Sequence, residues 1–394
     1  MNATFAGLQA LDAEHVMQTY GRLPVAFVRG EGTRLWDSEG KEYLDFLSGL
    51  AVTSLGHAHP EVAAAIGEQA RTLLHVSNLY YNDVQPKVAA RLDALLGGNG
   101  RVFFCNSGAE ANECAIKLAR RHGQRNGGPE RFHVLSAYGS FHGRTLTTLA
   151  ATGQPQKQET FQPLPEGFRQ VAFDDLDALA AAMDDRVAAV LLEPVQGEGG
   201  VNAASAEYLH GVRRLCDERE ALLIMDEVQT GLGRTGAWFG FQHSGVVPDI
   251  VTMAKALGNG MPIGACWARA DVAAAFAPGD HATTFGGQPL AARAALAVLD
   301  VMEREAVPAR AARAGARITE MLTKLDGVAD VRGAGLLIAA ELAGERDAKA
   351  AAQSCLDNGL VLNAVTPTAL RLAPPLLVTD DEIDAAVRII EGSL

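Results

Sequence analysis

The chain has 394 residues, 48% apolar and 21% charged, which is length enough for two or three domains and too much apolar residue for disorder. Its 47 acidic against 34 basic side chains give a net charge of −13, arguing against nucleic acid and anionic membranes as partners, since both need clustered positive charge. The longest apolar runs, Val187–Leu192 and Ala221–Met225, fall far short of the ~18–20 residues of a membrane span.

The first twenty residues carry Asp12 and Glu14 without Lys or Arg, so they lack the basic start of a secretory signal. The opening section then reads as short strands and turns: Val25–Val28, Arg34–Trp36, a turn at Asp37–Gly40, and Tyr43–Leu47. From about residue 56, helical stretches at Glu61–Leu74, Ala109–Arg121 and Ala206–Arg219 alternate with apolar runs at Val102–Cys105, Val187–Leu192, Ala221–Met225 and Ile250–Met253. Such alternation predicts an α/β protein with a mostly parallel sheet covered on both faces. His57 and His59 read as turn-capping residues, because no nearby carboxylate or cysteine set completes a metal site. The five cysteines are scattered and hold no CxxC pair, so buried thiols, no metal and a cytoplasmic location are expected. From Pro289 an Ala-rich helical region runs to about residue 325, followed by an apolar segment over Val331–Ile338 and a helix at Asp347–Asp357. A strand at Leu360–Asn363, Leu370–Ala373 and a closing helix from Asp380 complete the chain. The expected organisation is a segment 1–55 contributing to a small domain, a large domain over 56–288, and a C-terminal α+β part of the small domain over 289–394.

Ligands in α/β sheets sit at the carboxyl ends of the strands, and three segments bring chemistry there. In Phe103-Phe-Cys-Asn-Ser-Gly-Ala-Glu-Ala-Asn112 an apolar strand stops and a helix starts. Ser107 and Glu110 have the spacing of a capping box, and the same bare N–H groups, with Gly108 allowing close approach, suit a phosphate. The strand Ala221–Met225 delivers two carboxylates, Asp226 and Glu227. It resembles the metal-binding strand of a P-loop enzyme, yet no G-x-x-x-x-G-K-[ST] exists to hold a triphosphate. Gly231-Leu-Gly-Arg-Thr-Gly236 matches a dinucleotide fingerprint but lies beyond its strand and leads into Trp-Phe rather than a helix, which argues against a nicotinamide enzyme. Finally, Lys255 closes the buried run Ile250–Met253, where desolvation favours the neutral amine that imine formation requires. A helix-start phosphate site, a strand-end carboxylate and a strand-end lysine together meet the needs of pyridoxal phosphate.

These segments, with Phe141-His-Gly-Arg-Thr, Glu193-Pro-Val-Gln-Gly-Glu-Gly-Gly and Thr284-Phe-Gly-Gly-Gln-Pro-Leu, resemble the class III (ω-amino) aminotransferases over essentially the whole chain. The resemblance implies fold type I: a large domain with a mostly parallel seven-stranded sheet, a smaller α+β domain, and a homodimer with shared active sites. It implies Lys255 as the lysine that bonds pyridoxal phosphate and shuttles a proton, Asp226 as partner of the pyridine nitrogen, and Glu193 as an active-site acid. Val228 and Phe141 would lie on the two ring faces, and Gln229 would bond the ring oxygen. Ser107, Gly108 and Ala109 would hold the phosphate, joined by Thr284 of the partner subunit, with Glu227 also at the cofactor. For substrate, the family pattern implies Arg371 for the carboxylate of glutamate or 2-oxoglutarate, masked by Glu198 when an ω-amine donor is bound. It further implies Arg144 for the donor's α-carboxylate, and Thr283 as a substrate contact. The Phe141–Arg144 segment points to transamination between N-acetylornithine and 2-oxoglutarate, as in arginine biosynthesis. Succinylornithine, N-succinyl-diaminopimelate, ornithine and 4-aminobutyrate are the alternative donors.

Overall fold

In the computed structural model, which describes residues 4–394, the core is a seven-stranded sheet. Across the sheet the strands run Gly100–Cys105, Gly264–Arg269, Ile250–Met253, Leu222–Asp226, Val187–Leu192, His133–Ala137 and Phe168–Val171. All are parallel except Gly264–Arg269, which is antiparallel to both its neighbours. Val187–Leu192, Leu222–Asp226 and Ile250–Met253 are buried at every position, as a sheet covered on both faces requires. The alternation of helix and apolar run therefore predicts the architecture correctly. The strands Gly264–Arg269, His133–Ala137 and Phe168–Val171 are additional to the apolar runs identified in the sequence.

The two ends of the chain meet in a second sheet. Its strands are Phe27–Glu31, Arg34–Asp37, Glu42–Asp45 and Leu360–Val361, the last pairing parallel to Glu42–Asp45. The first strand starts later than the predicted Val25–Val28. The hairpin turns at Gly32, whose φ of +56° only glycine takes easily, and that turn sets which residues face Arg34–Asp37. A third sheet holds Val328–Ala334, Leu337–Leu342, Ala369–Leu372 and Asn363–Ala364. The predicted single strand Leu360–Asn363 is thus two short ones in different sheets, a split that depends on partners remote in sequence.

The predicted unbroken helix from Pro289 to about residue 325 is also two helices, Pro289–Arg304 and Val307–Leu322. Pro308 cannot donate to the preceding turn and its ring would clash with the carbonyl four residues back, so the chain reverses through Ala306 at φ +49°. Other helices start where local caps dictate. Thr379 and Glu382 form a capping box at Asp380–Glu391, and Ser205 accepts from the Tyr208 N–H at 3.1 Å to open Ala206–Glu218. None of the described helices is long and apolar enough to cross a membrane.

Candidate active site

The carboxyl ends of five neighbouring strands converge on one cavity of about 430 Å³. Gly100–Cys105 runs into Ser107, the N-cap of the long helix Gly108–Gly127. The Ser107 hydroxyl accepts from the Glu110 N–H at 3.2 Å. Glu110 does not return the bond to Ser107: it accepts from the Asn106 N–H at 2.5 Å and the Asn106 amide at 2.8 Å, so the expected reciprocal box is displaced by one residue. The first N–H groups of a helix have no intrahelical acceptor, and Gly108 and Ala109 present theirs on the cavity wall. A Cβ at Gly108 would sit 2.6 Å from a Val228 methyl, so glycine here lets the helix start pack directly against Val228.

Asp226 ends its strand 3% exposed, bonded to an amide, an imidazole and a backbone N–H and to no lysine or arginine. Its Oδ2 accepts from Asn112 Nδ2 at 2.7 Å and lies 2.8 Å from His142 Nδ1, while Oδ1 accepts from the Val228 N–H at 3.1 Å. Asn112 is in turn fixed by Thr252, whose hydroxyl donates to Asn112 Oδ1 at 2.8 Å, and Thr252 pairs with Asp226 across adjacent strands. Sequence reasoning gave Asn112 and Thr252 no role at the site. The available signal was a lone amide among the buried positions Ala111, Cys114, Ala115 and Ile116 of an otherwise apolar helix face.

Lys255 follows the strand Ile250–Met253 by two residues, lines the cavity, and takes a left-handed φ of +40°, a strained backbone for a side chain of its size. Removal from water pulls its ammonium down to about 8. Glu198, Asp226 and Glu193 oppose that shift and Arg371 adds to it. Glu193 follows Val187–Leu192 and accepts from the Phe141 N–H at 3.0 Å. Burial, then the nearby charge of Asp226, pushes its carboxyl well above the ordinary range. Glu198 lines the same cavity and goes the other way. Burial alone would raise it, but the charge and hydrogen bond of Arg371, 2.5 Å away, outweigh that and hold it below its usual value.

Arg371 is 1% exposed, bonded also to the Gly197 carbonyl at 3.1 Å and Asn363 Oδ1 at 3.2 Å, and it lies behind Glu198 with Nη2 lacking a partner. Gln229 likewise leaves a buried oxygen unpartnered in the cavity wall. Phe141, Val228 and Arg144 all line the cavity. Besides Arg371, which stands behind Glu198 and not on the wall, three expected residues are not brought there within one chain. Glu227 points into the protein, its carboxylate occupied by the Thr230 hydroxyl at 2.6 Å and the N–H groups of Gly240 and Phe241 at 2.8 Å each, so it builds the following loop and does not reach the cavity. Thr283 accepts from Asn106 Nδ2 at 3.2 Å without reaching the cavity itself, and Thr284 is exposed on the outer surface.

Residues 16–394 match the family model of aminotransferase class-III. Acetylornithine aminotransferase of Caldanaerobacter subterraneus is 48% identical over 97% of this chain and 98% of its own length. The enzyme of the same name from Methanocaldococcus jannaschii is 48% identical over 97% and 96%. Among solved structures, ornithine aminotransferase from Toxoplasma gondii, which carries partially occupied PLP in its active site, superposes with a TM-score of 0.95 at 37% identity, covering 99% of this chain and 94% of that one.

Proposed function

Because the chain belongs to the class-III aminotransferases, we propose that it uses pyridoxal phosphate to move the δ-amino group of N-acetyl-L-ornithine to 2-oxoglutarate. The products are N-acetyl-L-glutamate 5-semialdehyde and L-glutamate, a step of arginine biosynthesis. The observation that carries this reading is the cavity itself: a strained strand-end lysine with an ammonium at about 8 faces an anionic Asp226 end on one side and a helix N-terminus on the other.

The residues fit the cofactor. The helix-start N–H groups at Gly108 and Ala109 suit its phosphate, and the unpartnered oxygen of Gln229 leaves bonding capacity for a polar ring substituent. When bound, the cofactor supplies an aldehyde that takes up an amino group and a protonated ring that accepts the electron pair left when a substrate C–H bond breaks. Asp226, held in place by Asn112, His142 and the Val228 N–H, would pair with that ring nitrogen. Lys255 Nζ, neutral above about 8, would take the proton from the donor's δ-carbon and deliver it across the shared nitrogen to the carbon that carried the cofactor's aldehyde. Phe141 and Val228 enclose the ring from two sides and keep water out. Arg144 grips the donor's α-carboxylate through its two-pronged guanidinium. Glu198 masks Arg371 while that donor is present and releases it for the carboxylate of 2-oxoglutarate.

The working unit in this reading is a homodimer in the cytoplasm. Leu79, Tyr80 and Tyr81 are 85%, 71% and 102% exposed, and Phe285, next to Thr284, is 55% exposed. Asn78 ties the two segments together through the carbonyls of Thr283 at 3.2 Å and Gly286 at 2.9 Å. An apolar strip of this kind suits a second copy of the chain, which would carry Thr284 to the neighbouring phosphate.

The test is half-reaction spectroscopy of the loaded enzyme across a donor panel. N-acetylornithine should discharge the visible absorption of the bound aldehyde, and 2-oxoglutarate should restore it. Discharge by ornithine or 4-aminobutyrate but not by N-acetylornithine would reassign the donor, and no discharge by any amine would remove the activity.

A further inference from the structure

Phe141 carries two cations against its ring. The Arg144 guanidinium lies 5.6 Å from the ring centre and the Lys157 ammonium 5.3 Å. Arg144 lines the cavity, so Lys157 stands at its rim. The charges acting on Lys157 are Arg144, which repels it, and Glu198, which attracts it but is already bound to Arg371 at 2.5 Å. Lys157 is half-buried, and its burial and the repulsion of Arg144 both work against its charge. In a chain with 47 acidic side chains to choose from, this lysine has no carboxylate committed to it among the described residues.

Its position is fixed. Lys157 belongs to the short turn of helix Pro155–Gln158, whose flanks are bonded back to the segment around Phe141. Gln154 Nε2 donates to the Ser140 carbonyl at 3.0 Å, and Gln158 Nε2 donates to the carbonyls of Thr152 at 2.8 Å and Leu149 at 3.1 Å. The fold thus brings two like charges to one aromatic ring, an arrangement whose cost falls when an anion binds near both.

We propose that Lys157 and Arg144 form a carboxylate subsite at the mouth of the cavity, with Lys157 as a specificity-determining residue for donors that carry a carboxylate remote from the reacting amine. The assignment rests on the reading above that such donors enter this cavity. Arg144 offers a planar fork that fixes orientation, and Lys157 offers a compact charge from a different direction, so the two complement each other.

The experiment compares N-acetylornithine with its decarboxylated counterpart, N-acetylputrescine, as donors for the loaded parent enzyme, Lys157→Met and Lys157→Arg. Methionine keeps the apolar stem on Phe141 and removes only the charge. In Lys157→Met the KM for N-acetylornithine should rise about tenfold and that for N-acetylputrescine less than about twofold, with kcat for each held within about twofold. Lys157→Arg should restore the carboxylated donor, and added salt should raise its KM more in the parent than in Lys157→Met. Equal changes for the two donors, or no change for either, would reduce Lys157 to packing on Phe141. If the parent does not use N-acetylornithine, the proposed donor falls by itself. The subsite is then decided by the same comparison between whichever carboxylated amine the panel identifies and its decarboxylated analogue.

Discussion

At the floor of the cavity Asp226 meets no lysine or arginine: the Asn112 amide, the His142 ring and a backbone N–H hold it, and Asn112 is fixed in turn by Thr252. At the mouth Glu198 meets a charge, Arg371 at 2.5 Å, and the two remaining cations, Arg144 and Lys157, share an aromatic ring with no anion between them. The contrast separates two tasks. Several fixed hydrogen-bond donors orient a carboxylate, which suits the permanent partner proposed for Asp226. An ion pair cancels charge and can open, which suits a place that must receive two different substrates in turn. The floor is built for permanence and the mouth for exchange.

The sharpest way to break the floor is to remove its amine. Lys255→Ala should lower kcat by at least about 10⁴-fold and abolish the visible absorption of the bound aldehyde, measured by stopped-flow and absorbance. The same residue carries a pH signature. Because its ammonium sits at about 8, the neutral amine is the minority form below that pH. Covalent capture of pyridoxal phosphate by the apoenzyme should therefore speed up as pH rises and level off above about 8. A capture rate that keeps climbing toward pH 10 would mean that the amine is not desolvated.

Next in size is the Asp226 scaffold. Asn112→Ala removes one of the two bonds to Asp226 Oδ2, leaving that of His142, and strands the Thr252 hydroxyl, and it should cost about 10–100-fold in kcat with weaker cofactor retention, read by fluorescence titration. Unchanged cofactor affinity together with a lowered melting temperature would make Asn112 a packing residue only. The smallest effect belongs to the mouth. Glu198→Gln removes the charge that masks Arg371, so the KM for glutamate in the reverse half-reaction should fall roughly threefold while that for N-acetylornithine rises. If both constants move together, the pair does not distinguish the two substrates.

Much of the floor was legible in the sequence, and less of the mouth. Asp226 and Lys255 stand out because each is a charge at the end of an apolar run that must be buried. Ser107 and Gly108 stand out because a strand, a small-residue turn and a helix occur in immediate succession. Asn112 and Thr252 did not, since a single amide in one helix and a single hydroxyl in one strand carry no local pattern; they become a pair only when 140 residues of intervening chain bring them to 2.8 Å. Glu227 shows the opposite error. It is next to Asp226 in sequence, yet alternation along an extended backbone turns it away, and the loop at Gly240–Phe241 claims its carboxylate.

By itself the sequence determined which runs are buried, where helices begin and which side chains stand at strand ends, because hydrophobic period, caps and prolines act over a few residues. Tertiary structure decided the rest: the antiparallel insertion of Gly264–Arg269, the division of Leu360–Asn363 between two sheets, the partners of Asp226, and the meeting of Lys157 with Arg144 on Phe141. Each of these depends on contacts between segments far apart along the chain, whose energies come from desolvation and close packing that no local window of residues contains.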